Sequence, residues 1–310
     1  MERNNFKSNK IDPNVGRKDK LIKKNKSAFF GKKDFLPSII EFSSSGLCNR
    51  KCPFCPRSAP DYDHINQHIS LKHIEKITDE LSVYKKDFFF IFSGFAEPLL
   101  TKNLEEIIQI IRNKLQTSTI EINTNTDLLT IKRIKSLFES GLSSIRCSIY
   151  DDERRLKEVE KMLKECNIEE SSYSLRPRFY KKEKDGDKAL DNFGINLSNR
   201  AGMMENALYS IPALKEPLKN PCYYPFYNIF MDFNGDYLLC PHDWGKGEVL
   251  GHVDNCHIVD DIWLSERSNV IRKNLLESKR CISEACKKCD VVGTYMGLEE
   301  ANQWKKLWNS

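Results

Sequence analysis

The sequence lacks any long hydrophobic run, and its longest apolar stretch is FFFIF at residues 88–92. A membrane-spanning helix needs about 20 mostly apolar residues, so we expect no membrane segment and no membrane partner. The N-terminal residues also lack the apolar core of a secretory signal peptide. These absences indicate a cytoplasmic protein. They also argue against a disulfide framework for the eleven cysteines, because disulfides form in oxidising compartments.

The first group of cysteines lacks a fourth member. In CNRKCPFC, the spacing of Cys48, Cys52 and Cys55 is C-x3-C-x2-C, and no histidine follows before His64. A structural zinc site is closed by four ligands. Three thiolates can instead hold three corners of a cubane [4Fe–4S] cluster and leave one iron open. The pattern therefore favours an open iron–sulfur site, and a zinc knuckle or a chance cluster remains the alternative.

Acidic residues are scarce at the N-terminus. Residues 1–34 hold eleven Lys or Arg residues against four acidic ones, whereas the whole chain has a net charge of only +5. We assign residues 1–36 to a basic tail that we expect to be disordered. Such a tail could contact nucleic acid, which would suggest RNA modification. The rest of the chain shows no basic patch interleaved with aromatic residues, so we expect no nucleic-acid partner.

Strand-like and helix-like segments alternate between residues 37 and 180. The predicted strands cover residues 37–44, 87–94, 119–125, 143–151 and 172–180, and the predicted helices cover 71–84, 103–115, 130–141 and 152–166. This alternation predicts an α/β fold with a parallel sheet. Five or six units are too few for an eightfold barrel, so we expect a partial barrel or an open sheet. The site of either fold lies at the carboxyl ends of the strands, where the cysteine loop follows the first strand.

The alternation stops near residue 181. Further along, the sequence predicts a polar loop at 181–194, a β-hairpin at 221–240 and a helix at 260–278. The hairpin turns at Asn234-Gly235, and this dipeptide is a strong hairpin signal. We therefore divide the rest of the chain into a core domain at 37–205 and a small α+β domain at 206–310.

The C-x3-C-x2-C spacing, with aromatic Phe54 before the last cysteine, resembles the radical S-adenosylmethionine (radical SAM) superfamily. The resemblance covers roughly residues 37–205 and implies a partial (β/α)6 barrel. It implies that SAM chelates the open iron of the [4Fe–4S] cluster. Reductive cleavage of SAM then gives methionine and a 5′-deoxyadenosyl radical, which abstracts hydrogen from the substrate. A flavodoxin- or ferredoxin-type electron donor is the implied partner.

Three further segments resemble parts of the SAM site in this family. SGFAEP at residues 93–98 resembles the GGEP element, which binds the SAM amino group through backbone and carboxylate groups. NTNTDLLT at residues 123–130 resembles the TNG stretch, although Thr126 and Asp127 stand where the family has glycine. A serine at the end of the fourth strand often lies near the SAM carboxylate or ribose. The implied SAM contacts are Phe54, Gly94, Glu97, Pro98, Asn123, Asn125 and Ser148.

Four later cysteines form a second set. Cys222 and Cys240 flank the predicted hairpin, and Cys286 and Cys289 form a C-x2-C pair. Four thiolates suit a closed [4Fe–4S] cluster or a zinc ion. Their order resembles the twitch form of the SPASM-type auxiliary domain, which implies a second, auxiliary [4Fe–4S] cluster. His242, two residues after Cys240, is a candidate to contact this site.

Three residues are candidates for a catalytic role. NRAG at residues 199–202 resembles a strand-end arginine motif of members with an added cluster domain, so Arg200 is a candidate contact for SAM or substrate. A surface salt bridge is the alternative for Arg200. Cys256 and Cys281 belong to neither cysteine set. Either could return a hydrogen to a substrate radical, and packing in the core is the alternative.

The resemblance implies a radical SAM oxidoreductase. Relatives with this layout dehydrogenate or epimerise carbohydrates or cyclitols, so we expect one of these reactions on a small molecule. Epimerisation would need a thiol that returns a hydrogen, whereas dehydrogenation would not. A maturase that modifies a peptide substrate is the alternative. A non-enzymatic binding module, stabilised by zinc at both cysteine sets, is a third interpretation.

Overall fold

The computed structural model describes Lys18, residues 35–179 and residues 197–309. Most of the tail predicted at 1–36 and the polar loop predicted at 181–194 lie outside the described residues. Within the described ranges, no helix is long and apolar enough to cross a membrane.

A single open sheet organises the described structure. Its eight strands are β1 (Ile39–Phe42), β2 (Phe89–Phe92), β3 (Thr119–Thr124), β4 (Ser144–Ile149), β5 (Tyr173–Pro177), β6 (Asn228–Met231), β7 (Asp236–Leu238) and β8 (Val249–His252). They lie in the order β5-β4-β3-β2-β1-β6-β7-β8. Strands β1 to β6 run parallel, whereas β7 and β8 pair antiparallel. The predicted α/β class with a partial barrel is confirmed.

Helices cover one face of the parallel strands. They are α1 (Leu71–Ser82), α2 (Leu104–Lys114), α3 (Ile131–Glu139) and α4 (Glu153–Glu165). Their apolar residues recur at helical spacing, as in α1, where Ile74, Ile77 and Leu81 are fully buried. These side chains share one core with strand residues such as Phe90 and Ile122. The core fixes the strands and so positions the loops at their carboxyl ends.

The opposite, inner face of the parallel strands is partly polar. Successive strand residues point to opposite faces, so the neighbours of the core residues Ile40 and Ile122 point away from the helices. These neighbours include the buried Glu41 and Glu121. A small apolar cluster lies on the same face and contains Ile39, Phe89, Ile91, Tyr227 and Met296. Polar groups enclosed in this way suit the binding of a small polar molecule.

Strand β6 joins the parallel sheet beside β1, with Ile39 opposite Asn228 and Phe42 opposite Met231. The sheet therefore continues across the domain boundary that the sequence predicts between residues 205 and 206. The sixth parallel strand, β6, belongs to the predicted hairpin, because it also pairs antiparallel with β7. The β6–β7 hairpin turns where Asn234-Gly235 predicts it.

The C-terminal part has three more helices, α5 (Glu266–Leu276), α6 (Glu284–Lys288) and α7 (Leu298–Asn309). The single helix predicted over 260–278 is wrong, because a π-helical turn at Ile258–Trp263 precedes α5. Ser265 separates the two, since its hydroxyl accepts a hydrogen bond from Ser268 N at 3.2 Å and caps α5. Helix α7 packs against this region through Trp304, whose ring contacts Trp263 at a centroid distance of 6.0 Å.

Candidate functional site

The three-cysteine loop follows β1 at the carboxyl end of the parallel strands. Its thiols are half-buried, and burial together with the charges of Cys55 and Cys48 raises the pKa of Cys52 to about 12. Within the described ranges, no group of three Cys, His, Asp or Glu side chains is arranged so that it could hold a single metal ion. A zinc ion holds thiolates about 2.3 Å away, whereas a four-iron cubane is wider. Three thiolates are the ligand set of an open cubane, whereas a structural zinc site takes four ligands, so this loop suits a cluster.

Arg57 fixes the position of this loop. Its buried guanidinium donates hydrogen bonds to the Gly46 carbonyl at 3.1 Å and to the Phe95 carbonyl at 3.0 Å. It also lies 3.0 Å from His64 Nδ1. Gly46 precedes the cysteines, and Phe95 belongs to the segment after β2. One buried cation therefore joins the cysteine loop to the SGFAEP segment, although sequence analysis did not identify it.

Glu97 is buried, and its carboxylate is hydrogen-bonded within the protein. It accepts hydrogen bonds from Leu99 N at 3.1 Å, Thr124 Oγ1 at 2.6 Å and Asn125 N at 2.8 Å. Burial raises the pKa of Glu97 to about 7, although these donors act in the opposite direction. Glu97 thus ties the loop after β2 to the end of β3. Its contact with the SAM amino group stays a prediction.

Gly94 has a local structural reason to be glycine. Its φ angle is +91°, and a Cβ atom would lie 3.0 Å from the Phe230 ring and 3.1 Å from Ser43 Cβ. Pro98 is buried at the start of a 3-10 turn at Pro98–Leu100. The backbone of this segment therefore approaches the inner face closely, as a backbone contact to SAM would require.

A polar clamp joins the cysteine loop to the ends of β3 and β4. Asn125 Nδ2 donates to Asn49 Oδ1 at 2.8 Å and lies 3.9 Å from Cys48 Sγ. Arg50 donates through Nε to Asp127 Oδ2 at 2.7 Å and through Nη2 to Asp151 Oδ2 at 2.7 Å. Asp127, which stands where the family has glycine, therefore positions the cysteine loop.

The remaining implied SAM contacts lie near the same edge of the sheet. Ser148 is buried and accepts a hydrogen bond from Arg176 Nη2 at 2.9 Å. Phe54 packs on Tyr150 with ring centroids 5.5 Å apart. Asn123 Oδ1 is buried and has no hydrogen-bond partner among the described residues. Because an unpaired buried carbonyl oxygen is costly, Asn123 is suited to accept a hydrogen bond from a bound molecule.

Sequence analysis missed the charged residues of the inner face. Glu121 is fully buried and accepts hydrogen bonds from Ser144 Oγ and Arg146 Nε, both at 2.9 Å. Arg146 also donates to Ser174 Oγ at 3.2 Å. The sequence does contain a signal for these residues. Polar and apolar residues alternate in EIN (121–123) and SIRCS (144–148), whereas strands of a parallel sheet are usually apolar throughout. Glu121 and Arg146 thus form a buried ion pair.

Glu41 lies on the same face with a different set of partners. Its carboxylate accepts hydrogen bonds from the Ser93 hydroxyl and from Asn228 Nδ2, the latter at 3.0 Å. Both donors are neutral. The ammonium group of Lys18 lies 3.9 Å from Glu41 Oε2. Glu41 is therefore a buried carboxylate that attracts a cationic nitrogen.

The four later cysteines line one cavity. Cys222, Cys286 and Cys289 are buried and Cys240 is half-buried. Burial and the nearby charge of Cys222 raise the pKa of Cys289 to about 12. Four thiols that line one cavity fit a closed four-thiolate cluster, since no other ligand is needed.

Arg280 holds the chain segments that carry these cysteines. Its buried guanidinium donates to the carbonyl groups of Asn220 at 3.0 Å, Pro221 at 2.9 Å, Val291 at 2.7 Å and Val292 at 2.6 Å. These carbonyls adjoin the first and last cysteines of the set. Sequence analysis did not identify Arg280, because carbonyl partners leave no mark on the sequence.

Arg200 does not end a strand; it begins a 3-10 turn at Arg200–Gly202. Its Nη1 lies 3.2 Å from His242 Nδ1, and His242 Nε2 lies 3.2 Å from the Tyr224 hydroxyl. Burial and the positive charges of Arg200 and Lys18 lower the pKa of His242 to about 3. The imidazole is therefore neutral, and Arg200 forms no surface salt bridge among the described residues.

The two other cysteine candidates lie apart from the inner face. Cys256 is half-buried against the core that the helices share, and its carbonyl accepts from Lys76 Nζ of α1 at 3.1 Å. Cys281 is exposed in a 3-10 turn at Arg280–Ile282. The structure therefore brings neither thiol to the three-cysteine loop, and a hydrogen-donor role for them stays a prediction.

Comparison with known proteins identifies two families along the chain. The Radical SAM superfamily matches residues 42–176, and SPASM, an iron–sulfur cluster-binding domain, matches residues 222–290. Together the two matches cover more than half of the chain. The expected cofactors are confirmed: they are SAM and [4Fe–4S] clusters.

Individual relatives agree with this assignment. The S-adenosyl-L-methionine-dependent 2-deoxy-scyllo-inosamine dehydrogenase of Niallia circulans is 27% identical over 260 residues, which are 84% of this chain and 95% of the relative. The GTP 3′,8-cyclase of Aquifex aeolicus (strain VF5) is 32% identical over 117 residues, which are 36% of this chain and 35% of the relative.

Among solved structures, BtrN in complex with AdoMet and 2-DOIA has a TM-score of 0.68 and 25% identity. The match covers 85% of this chain and 98% of that chain. The fold, the order of the cysteine sets and the family matches all indicate the same family. The chain is thus an enzyme that belongs to the Radical SAM superfamily and carries a SPASM-type iron–sulfur domain.

Proposed function

We propose that this enzyme oxidises a secondary alcohol of a small polyhydroxylated ring that bears an amine, as in an aminocyclitol. The observation that carries the proposal is the polar inner face, where the buried Glu41 attracts a cationic nitrogen. The similarity to a 2-deoxy-scyllo-inosamine dehydrogenase over 95% of that relative supports it.

The residues that would hold the cofactors follow from the site. Cys48, Cys52 and Cys55 would hold the cluster that binds SAM, and SAM would contact the backbone near Gly94 and the side chain of Asn123. The other proposed SAM contacts are Phe54, Glu97, Pro98, Asn125, Ser148 and Arg200. The auxiliary cluster would be held by Cys222, Cys240, Cys286 and Cys289, all of which line one cavity.

When bound, SAM and the clusters supply a 5′-deoxyadenosyl radical and an acceptor for one electron. The alcohol then loses a hydrogen atom from its carbinol carbon, a proton from its hydroxyl and one electron. These losses convert the alcohol to a ketone, with methionine and 5′-deoxyadenosine as the other products. The contribution of the inner face is to orient the ring, with Glu41 binding the amine by a charge-assisted hydrogen bond.

The experiment uses 2-deoxy-scyllo-inosamine, deuterated at its carbinol carbons, with the reconstituted enzyme, SAM and a reductant. We expect equal amounts of ketone and 5′-deoxyadenosine, and deuterium in the 5′-deoxyadenosine. The same ring with a hydroxyl in place of the amine should react roughly ten- to a hundredfold less efficiently, since a charge-assisted hydrogen bond contributes about 1.5–3 kcal/mol. If both rings fail to give a ketone, the proposal is wrong.

A matched pair of variants tests the role of the amine. Glu41→Gln should raise KM for the aminated ring by about tenfold and leave the hydroxyl analogue little changed. Glu160→Gln, which alters a surface pair with Lys164 on α4, should change neither. Equal loss for both rings in Glu41→Gln would contradict the proposed amine contact.

Epimerisation and peptide modification receive less support. Epimerisation needs a thiol near the substrate, and the structure places Cys256 in the helix-side core and Cys281 on the surface. The buried polar groups of the inner face, such as Glu41 and Glu121, suit a small polar molecule better than a peptide. A flavodoxin- or ferredoxin-type electron donor is part of the proposal.

A further inference from the structure

A chain of three side chains leads to the cavity of the four later cysteines. Arg200 Nη1 contacts His242 Nδ1 at 3.2 Å, and His242 Nε2 contacts the Tyr224 hydroxyl at 3.2 Å. At one end, Arg200 begins the 3-10 turn at Arg200–Gly202. At the other end, Tyr224 lines the cavity of the four cysteines.

The direction of the hydrogen bonds follows from the chemistry of the groups. A guanidinium can only donate, so His242 Nδ1 must accept from Arg200. The ring proton of the neutral imidazole then lies on Nε2 and is donated to the Tyr224 oxygen. The hydroxyl of Ser198, 3.4 Å from His242 Nδ1, is a second group on the same accepting nitrogen.

The Tyr224 hydroxyl then has its own proton left to donate. Among the described residues, His242 is its one hydrogen-bond partner. The residue is half-buried and forms part of the cavity wall together with Cys222 and Cys240. Because its oxygen already accepts from His242, the hydroxyl is left as a donor, and the four cysteines line the same cavity.

We infer that Tyr224 donates a hydrogen bond to a sulfur of the auxiliary cluster, and that Arg200 and His242 are positioning residues that orient this donor. Hydrogen bonds to cluster sulfurs tune the reduction potential. A donor stabilises the reduced cluster more, since that form carries more negative charge. Tyr224 therefore raises the potential of the auxiliary cluster.

The inference deepens the proposed function, because oxidation of an alcohol requires a place for the one electron that the substrate loses. A higher potential makes the auxiliary cluster a better acceptor. The His242 candidate from sequence analysis would thus act through Tyr224. The potential is measured without substrate, so failure of this inference and failure of the proposed alcohol oxidation are distinguishable.

The test is a redox titration followed by EPR, performed on the full chain with Cys48, Cys52 and Cys55 changed to Ala so that the auxiliary cluster alone gives the signal. Tyr224→Phe should lower its potential. The matched control is Tyr223→Phe, an adjacent half-buried tyrosine whose ring packs against Phe226 at a centroid distance of 6.3 Å. This control should leave the potential unchanged. An unchanged potential in Tyr224→Phe, with four irons retained, would overturn the inference.

A second variant keeps the test decisive if Tyr224→Phe loses its cluster. Arg200→Met leaves the cavity wall and every cysteine in place but removes the donor that fixes the imidazole. It should lower the potential in the same direction by a smaller shift. A potential equal to that of the parent in Arg200→Met, with its iron content intact, would show that the chain does not orient a donor and would overturn the inference.

Discussion

The two cysteine sets are built in opposite ways. The first comes from eight consecutive residues, Cys48 to Cys55, and its thiols are half-buried at the edge of the sheet. The second is assembled from residues 222, 240, 286 and 289, and it encloses a cavity. An edge loop with three thiols leaves room for a ligand, whereas an enclosed set of four does not. The open site is thus built from one local segment of the chain, and the closed site is built from residues that are distant in sequence.

Each set nevertheless depends on one buried arginine. Arg57 joins the first loop to the segment after β2 through the carbonyls of Gly46 and Phe95. Arg280 joins the segments of the second set through four backbone carbonyls. Both side chains are 2% exposed. The planar guanidinium suits this task because it offers five donors in a fixed geometry.

The largest expected effect comes from exchanging these arginines for lysine. Arg280→Lys leaves carbonyls of the second set unpaired, each at a cost of about 1–3 kcal/mol. The variant should bind roughly four irons instead of roughly eight and still cleave SAM. Arg57→Lys should show the converse, with SAM cleavage lost and the auxiliary cluster kept. Iron analysis and 5′-deoxyadenosine assays measure both, and loss of the same cluster in the two variants would refute the comparison.

The clamp on the first loop should give the next largest effect. Arg50→Leu leaves Asp127 and Asp151 without the cation that they share. The side chains of these ion pairs are partly exposed, so the loss should be moderate. We expect SAM to bind about fivefold more weakly, in line with about 1 kcal/mol for a partly exposed ion pair. The auxiliary cluster should be unaffected. Arg154→Leu, an exposed change on α4, serves as the control, and equal weakening in both variants would contradict the clamp.

Glu97 should make the first region sensitive to pH. Burial raises its pKa from 4.5 to about 7, so the folded state holds a proton that the unfolded state has lost between these values. The free energy of unfolding should therefore fall as the pH rises from about 4.5 to about 7, on the order of 2–3 kcal/mol in total. Chemical denaturation across this range measures the slope.

The control for this pH dependence is Glu97→Gln. The amide cannot ionise, so the slope that Glu97 contributes should disappear. The variant should also be less stable at low pH, because one of the donors Thr124 and Asn125 loses its acceptor. A slope that is the same in wild type and variant would show that Glu97 is not the titrating group.

The smallest effects should come from the two cysteines outside both sets. Cys281→Ala changes an exposed side chain, and turnover should stay within about twofold of wild type. Cys256→Ala removes one half-buried sulfur, and we expect a stability loss of about 1 kcal/mol at most with turnover retained. Loss of substrate turnover in either variant, with both clusters present, would instead indicate a thiol that donates hydrogen.

The same contrast between local and long-range assembly explains what the sequence could predict. The first loop and the helices α1 to α4 are local patterns, and the helices lie within two residues of their predicted bounds. The pairing of β6 with β1 joins residues almost 190 positions apart, and short strands carry no signal of their partners.

For the candidate site, too, the sequence predicts the local features but not the contacts between distant segments. The cysteines were nominated from spacing, whereas Arg57 and Arg280 act on backbone carbonyls, which every residue has. Glu41 and Glu121 could have been found from polar residues at alternate positions in buried strands. Their different partners, neutral donors for Glu41 and Arg146 for Glu121, depend on which strands are neighbours.

The most direct test is iron and sulfide analysis with EPR, with and without SAM, on anaerobically reconstituted protein. The wild type and the variant with Cys48, Cys52 and Cys55 changed to Ala are compared. We predict roughly eight irons in the wild type and roughly four in the variant, with a spectral change on addition of SAM in the wild type alone. Bound zinc, or an iron content that the triple change leaves unaltered, would contradict one open and one closed cluster.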